Sequence, residues 1–224
     1  MPLDSRRHHL WVAGATALIL LVVAGWSWTA GRNAVEGDSA SAAESDPRCG
    51  RVLREPVGDA GAHIDSRPIT YLAAPPSYGD HRSRWEVRAH SFYDIDDRPE
   101  VPVLVHNLEH GYNILWYDQT VAQNPIALAQ VQEIADHYAT LDGKRDPSTA
   151  FIAAPWTSED GPAFPDDMHV ALTHWYADPT DRTRSRDDEI GLTRYCATVS
   201  AEVVRAWMDD YPLRDAPEGY PGLM

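Results

Sequence analysis

The chain has 224 residues, 43% of them hydrophobic and 24% charged, an ordinary globular composition with room for one sizeable domain and an appendage. Its formal charge of −15 is unevenly spread: residues 1–31 carry Asp4 against Arg6 and Arg7, so the remainder holds −16. An acidic domain of this kind repels nucleic-acid phosphates and anionic membrane surfaces, which argues against both as partners of the folded part.

Residues 1–9 include Arg6, Arg7, His8 and His9, and Leu10 to Ala30 then runs without a charged residue. About 20 apolar residues is the length of a membrane-spanning helix, and Trp11, Trp26 and Trp28 sit near its ends as interfacial aromatics do. With the basic flank first, the positive-inside rule predicts a cytoplasmic N-terminus over 1–9, a single-pass transmembrane anchor over 10–30 and an extracytoplasmic remainder. The membrane is then a partner through this helix alone. Ala40-Ser41-Ala42 offers the alternative of a cleaved signal peptide. Residues 31–48, with one branched aliphatic residue and no aromatic, read as a flexible linker to an extracytoplasmic domain over 49–224.

Cys49 and Cys196 are the only cysteines. They lack CxxC spacing; in an oxidising compartment they can close one long disulfide loop, and otherwise they are two buried thiols. Farther on, Ile69 to Leu72 reads as a short strand before the Pro75-Pro76-Ser77-Tyr78-Gly79 turn. Val103 to Val105 and Tyr112 to Tyr117 are strand-like, separated by a helical turn that Gly111 stops. Asn124 caps and Pro125 opens a helix with Leu128, Val131, Ile134, Ala135 and Tyr138 at helical spacing. Ala150 to Ala154 and His169 to Tyr176 read as strands. Ser200 caps a second helix with Val203, Val204, Trp207 and Tyr211 on its inner face. The fold class predicted is α+β, a small, mostly antiparallel sheet with two principal helices.

The chemistry concentrates at His106-Asn107-Leu108-Glu109-His110. Histidines four apart share a helix face, so both imidazoles can reach one site. One reading adds His63 and His81, which lie in Gly- and Pro-rich loops, to His106 and His110 as ligands of zinc or copper. Glu109 is then a further ligand, or a group that orients an imidazole. A second reading has these histidines hydrogen-bond backbone carbonyls and hold the turn, in a non-enzymatic envelope interaction module. A third takes the literal H-x-x-E-H pattern as a zinc hydrolase with Glu109 as general base, its third ligand drawn from residues such as Glu189 or Glu202. Glu109 is the only catalytic candidate, and the chain leans away from an enzyme. Asp94, Asp96, Asp97 and Glu100 lack EF-hand spacing and read as a solvated loop. His174 can face the site or the solvent side of its strand. Met168 and Met208 are too isolated for a methionine-type copper site. No G-x-S-x-G, P-loop or dinucleotide fingerprint occurs.

Several of these motifs together resemble the bacterial domain-of-unknown-function family 3105, which is common in actinobacteria. They are Cys49 with Val52, Gly61-Ala62-His63, Pro75-Pro76-Ser77 through Gly79 to His81, and His106 to Gly111 followed by Trp116-Tyr117. The tail adds Tyr195-Cys196, Trp207, Tyr211-Pro212 and Ala216-Pro217-Glu218-Gly219. The resemblance spans most of residues 49–219. It implies a single-pass or secreted extracytoplasmic domain and singles out His63, His81, His106, Glu109 and His110, but brings no activity and no protein partner.

Overall fold

The computed structural model describes residues 46–86, 90–142, 150–180 and 185–219. The predicted anchor over 10–30 lies outside them, and among the described residues no helix is long and apolar enough to cross a membrane. The elements are β1 (Leu53–Pro56), α1 (Val101–Glu109), β2 (Asn113–Tyr117), α2 (Gln119–Gln123), α3 (Pro125–Asp142), β3 (Phe151–Pro155), β4 (Val170–Tyr176), β5 (Ile190–Cys196) and α4 (Ala201–Asp210). The strands form one sheet in the order β1-β5-β4-β2-β3. Three of its pairings are antiparallel, and β2 with β3, joined through α2 and α3, is parallel. Among the described residues the fold class is α+β with a mixed sheet and four helices, the two principal ones expected, α3 and α4, joined by α1 and the short α2.

The sheet is covered on both faces, which explains why β2 and β3 are buried along their whole length instead of alternating. Ile114, Trp116, Ile152, Ala154, Ala171 and Trp175 point to one face and pack with Leu104, Val105 and Leu108 of α1. Leu115, Tyr117, Phe151, Ala153 and Leu172 point to the other and pack with Val131, Ala135 and Tyr138 of α3 and Val203, Val204 and Trp207 of α4. The helix starts follow the sequence. Asn124 Oδ1 accepts from the amides of Ile126 and Ala127, and Ser200 Oγ from that of Val203. Asn113 ties α4 to β2 by accepting from Trp207 Nε1 at 2.8 Å and donating to the Tyr211 carbonyl at 2.8 Å.

Three local expectations change. Val103 to Val105 is the middle of α1, not a strand, because Pro102 opens a helix and all nine residues from Val101 to Glu109 are buried. A helix buried on every side has no solvent-facing stripe from which a helical period could be read. Fully burying Leu104 and Leu108 contributes about 1.5–3 kcal/mol each. Ile69 to Leu72 forms no strand. Leu72 is 94% exposed, and the Tyr71 hydroxyl donates to the Asp80 carbonyl, anchoring a loop. The strands β1 (Leu-Arg-Glu-Pro) and β5 (Ile-Gly-Leu-Thr-Arg-Tyr-Cys) were not anticipated, since their polar residues break the apolar run.

Cys49 and Cys196 form a disulfide across a sequence separation of 147. Beside it the Gly50 amide donates to the Tyr195 carbonyl, and the Ala197 amide to the Arg48 carbonyl, so the first described residues are stitched to the end of β5. A cross-link closing so long a loop restricts the unfolded chain. Replacing both cysteines by serine is expected to lower stability by about 2–5 kcal/mol, read from urea denaturation; an unchanged midpoint would contradict this.

His174 is wholly buried on the α4 face of β4, its ring 5.9 Å from that of Tyr211, so it faces neither the solvent nor the histidine cluster described below. Burial lowers its pKa from 6.5 to about 4, outweighing the Asp215 and Tyr112 main chain, which acts in the opposite direction. The unfolded chain therefore takes this proton first. Stability from this group is complete above about pH 6.5 and is lost progressively as pH falls toward 4, by on the order of 3 kcal/mol. His174→Leu should flatten part of that acid limb in denaturation series between pH 7 and pH 4. An identical limb in the variant would rule the assignment out.

Candidate metal centre

Two loop segments and the end of α1 build the site. The segment around His63 runs parallel to that around His81: the His81 amide donates to the Ala62 carbonyl at 3.0 Å, and the Ile64 amide to the His81 carbonyl at 2.7 Å. Asp80 Oδ1 accepts from the amides of Gly61 and Ala62, and Asp65 accepts from Ser83. Arg82 spans the same pair of segments by donating to the carbonyls of Ile64 and Arg67. Gly61 has φ +109°, and a Cβ there would stand 2.6 Å from Arg186 and 2.9 Å from Trp175, so only glycine allows this close approach.

The second segment lies along α1. Asn107 binds the Glu86 main chain at both its amide and carbonyl, and His106 Nδ1 donates to the Arg82 carbonyl at 2.7 Å. After Glu109 the helix closes with Gly111 at φ +89°. The Gly111 amide donates to the Leu108 carbonyl and the Tyr112 amide to that of Asn107, the paired bonds of a Schellman stop. Gly111 is also where the tail crosses: a Cβ would lie 2.4 Å from the Leu213 carbonyl oxygen.

The result is convergence on one carboxylate oxygen. Glu109 Oε2 stands 3.1 Å from His81 Nε2, 3.8 Å from His106 Nε2 and 3.9 Å from His63 Nε2. One ligand atom from each of the four residues lies within 4.8 Å of the others. A tetrahedral zinc ion with bonds of about 2.0–2.1 Å sets its ligand atoms about 3.4 Å apart, so closing around an ion brings pairs that stand up to 4.8 Å apart together by at most about 1.4 Å. His81, His106 and Glu109 are buried, while the His63 side chain is 51% exposed and forms the mouth. The group can hold a metal ion.

Tautomers sharpen this. A carbonyl oxygen cannot donate, so His106 Nδ1 and His81 Nδ1, the latter 2.8 Å from the Gly79 carbonyl, both carry hydrogen. The neutral rings then aim bare Nε2 lone pairs inward, the arrangement in which metal-bound histidines are oriented by their other nitrogen. His81 Nε2 and Glu109 Oε2 are buried, 3.1 Å apart, and lack hydrogen-bonding geometry. Two lone pairs face to face in a buried space repel. A proton or a cation between the two atoms would relieve that repulsion.

Electrostatics favour the ligand forms. Burial, reinforced by His81, lowers the His106 pKa to about 4, leaving the ring neutral. Burial alone would push the Glu109 carboxyl up, but a hydrogen bond from His81 and the positive charge His81, His106 and His63 carry when protonated outweigh it and hold the group below its ordinary value. Arg186 stands 3.8 Å from the outer oxygen, Oε1, while donating to the Ala60 carbonyl. Behind His81, Trp175 meets the ring edge-on at 5.8 Å and donates its indole N–H to Glu189, whose pKa burial raises.

Not every predicted residue joins. His110 stacks on His106 with centroids 4.9 Å apart, but it groups with Glu218 rather than with the four, its Nε2 3.7 Å from Glu218 Oε2. The acidic loop is spent on its own turn, Asp94 accepting from Asp96 and Asp97, while Glu100 pairs with Arg82. Cys49 and Cys196, held in their disulfide, are not ligands. Reading the sequence for chemistry overlooked Arg186, Asp80 and Trp175. Asp80 had a signal, an acid immediately before a ligand histidine in a glycine turn; Arg186 had none.

A family model described as "Protein of unknown function (DUF3105)" matches residues 63–221. The chain belongs to this family. The matched span takes in every residue of the cluster and leaves Cys49 outside. Comparison with curated proteins and with solved structures found no match.

The tautomer is directly measurable. Long-range proton–nitrogen correlation spectra of metal-free protein at neutral pH should show His106 as the neutral Nδ1–H form; a neutral Nε2–H ring would refute the inward lone pair.

Proposed function

We propose that this family member binds a transition metal, zinc or copper, through His63, His81, His106 and Glu109, on a membrane-anchored domain outside the cytoplasm. The observation that carries the reading is the convergence of three Nε2 atoms on Glu109 Oε2, with the two buried rings pinned by backbone carbonyls. Three imidazoles and a carboxylate suit Zn²⁺ or Cu²⁺, and no thiolate or thioether joins them to favour a softer ion. The charge of −16 beyond residue 31 attracts cations to the protein as a whole. The location is supported by the uncharged run from Leu10 to Ala30 and by the disulfide, which belongs to oxidising compartments.

A second reading keeps the histidines structural. Its support is the same pair of Nδ1–H bonds, which fasten the segment from Gly79 to Arg82 onto itself and onto α1, with a second proton on His81 satisfying Glu109. Hydrolysis is favoured less. The Glu109 oxygen stands among the ligand atoms, whereas a general base acts on water held by the metal.

Elemental analysis of purified full-length protein, with thermal melts, separates these readings. Near-stoichiometric zinc or copper is expected, and metal at about 1,000 times its Kd should add about 4 kcal/mol, a rise in Tm of roughly 8–16 °C. His63→Ala, at the exposed position, should keep the fold and lose most of that rise; His106→Ala should lose the metal altogether. A metal-free wild type whose melting ignores added zinc and copper would leave the structural reading standing.

A further inference from the structure

The second group of potential ligands, His106, His110 and Glu218, shares a residue with the first. One ligand atom of each lies within 4.8 Å of the others, and the pair His110 and Glu218 sits 3.7 Å apart. The arrangement is built rather than accidental. His110 is clasped between Trp85, with centroids 4.2 Å apart at 32°, and His106, at 4.9 Å and 15°. Glu218 is brought there by its own backbone, whose amide donates to the Glu109 carbonyl at 2.9 Å. The Glu218 side chain is 49% exposed and that of His110 11%, so this group opens to solvent where Glu109 does not.

His106 can serve only one group at a time. Its Nδ1–H is committed to the Arg82 carbonyl, which leaves Nε2 as its one donor atom to an ion. From this we infer that the cluster offers a single divalent cation two mutually exclusive positions. The inner one is closed by His63, His81 and Glu109, the outer one by His110 and Glu218, with His106 common to both. Resting on the metal-binding reading above, this makes the outer position a loading and release station, where the ion exchanges ligands around His106 instead of being stripped of all of them at once. Three neutral or anionic donors at the outer position suit the same borderline ions as the inner set.

Cobalt(II), whose visible absorption reports coordination, is the probe to titrate into full-length protein. Wild type should bind one ion per chain. Glu109→Gln should still bind one, at least tenfold more weakly, and adding Glu218→Gln to it should weaken binding at least tenfold again. Glu218→Gln alone keeps the backbone bond to Glu109; it should leave affinity within about threefold of wild type and slow release to excess chelator at least threefold. Two ions per wild-type chain would overturn the exclusivity. Binding by Glu109→Gln that is indifferent to Glu218, or an unchanged release rate in Glu218→Gln, would overturn the outer station while leaving the inner centre intact. No cobalt, zinc or copper bound by wild type would instead bring down the metal-binding reading itself, and this inference with it.

Discussion

A carboxylate buried among imidazoles is the constraint on which the rest of the site depends. Glu109 occupies the last turn of a helix buried on every side, and a negative charge there is tolerable only if compensated. Arg186 approaches its outer oxygen, while its inner oxygen faces the Nε2 atoms of His63, His81 and His106, the last two on rings whose Nδ1–H is held by a backbone carbonyl. The compensation is left open to a cation or a proton.

The scaffold around this carboxylate is made by hydrogen bonds between segments that have no regular structure of their own. The zipper from Gly61 to Arg67 against Asp80 to Ser83 places two imidazoles side by side, and Asn107 and His106 fasten that zipper to α1. The sheet serves as a floor, with Trp175 rising from β4 to meet His81. On its opposite face α3 and α4 complete the core and contribute nothing to the cluster. The sheet thus carries a hydrophobic core on each face, and the cluster lies on the side of α1.

The tail deserves equal weight in this architecture. Gly111 permits Leu213 to cross the end of α1 at contact distance, and the chain then returns Glu218 to the Glu109 carbonyl. Helix termination, tail docking and the second ligand group are consequences of one positive-φ glycine. The disulfide acts at a distance from all this, pinning the start of the domain to β5, whose neighbour in the sheet is β4.

Much of this was legible locally. His106, Glu109 and His110 announced a site by spacing, Gly111 announced the helix stop, and Asn124 and Ser200 announced two helix starts, because caps and turns are decided by neighbouring residues. The helical character of Val103 to Val105 was not legible, since burial on all sides erases periodicity; nor were β1 and β5, whose polar residues are paired only after the sheet forms. Most of all, the sequence brought His63, His81, His106, Glu109 and His110 together as candidate ligands, but not their division into two groups. His63 and His81 reached His106 and Glu109 through a loop pairing, His110 was drawn away to Glu218, and Arg186 arrived from beyond β4. Such partnerships are set by long-range packing, where the energy of each contact depends on chain segments that no local pattern brings together.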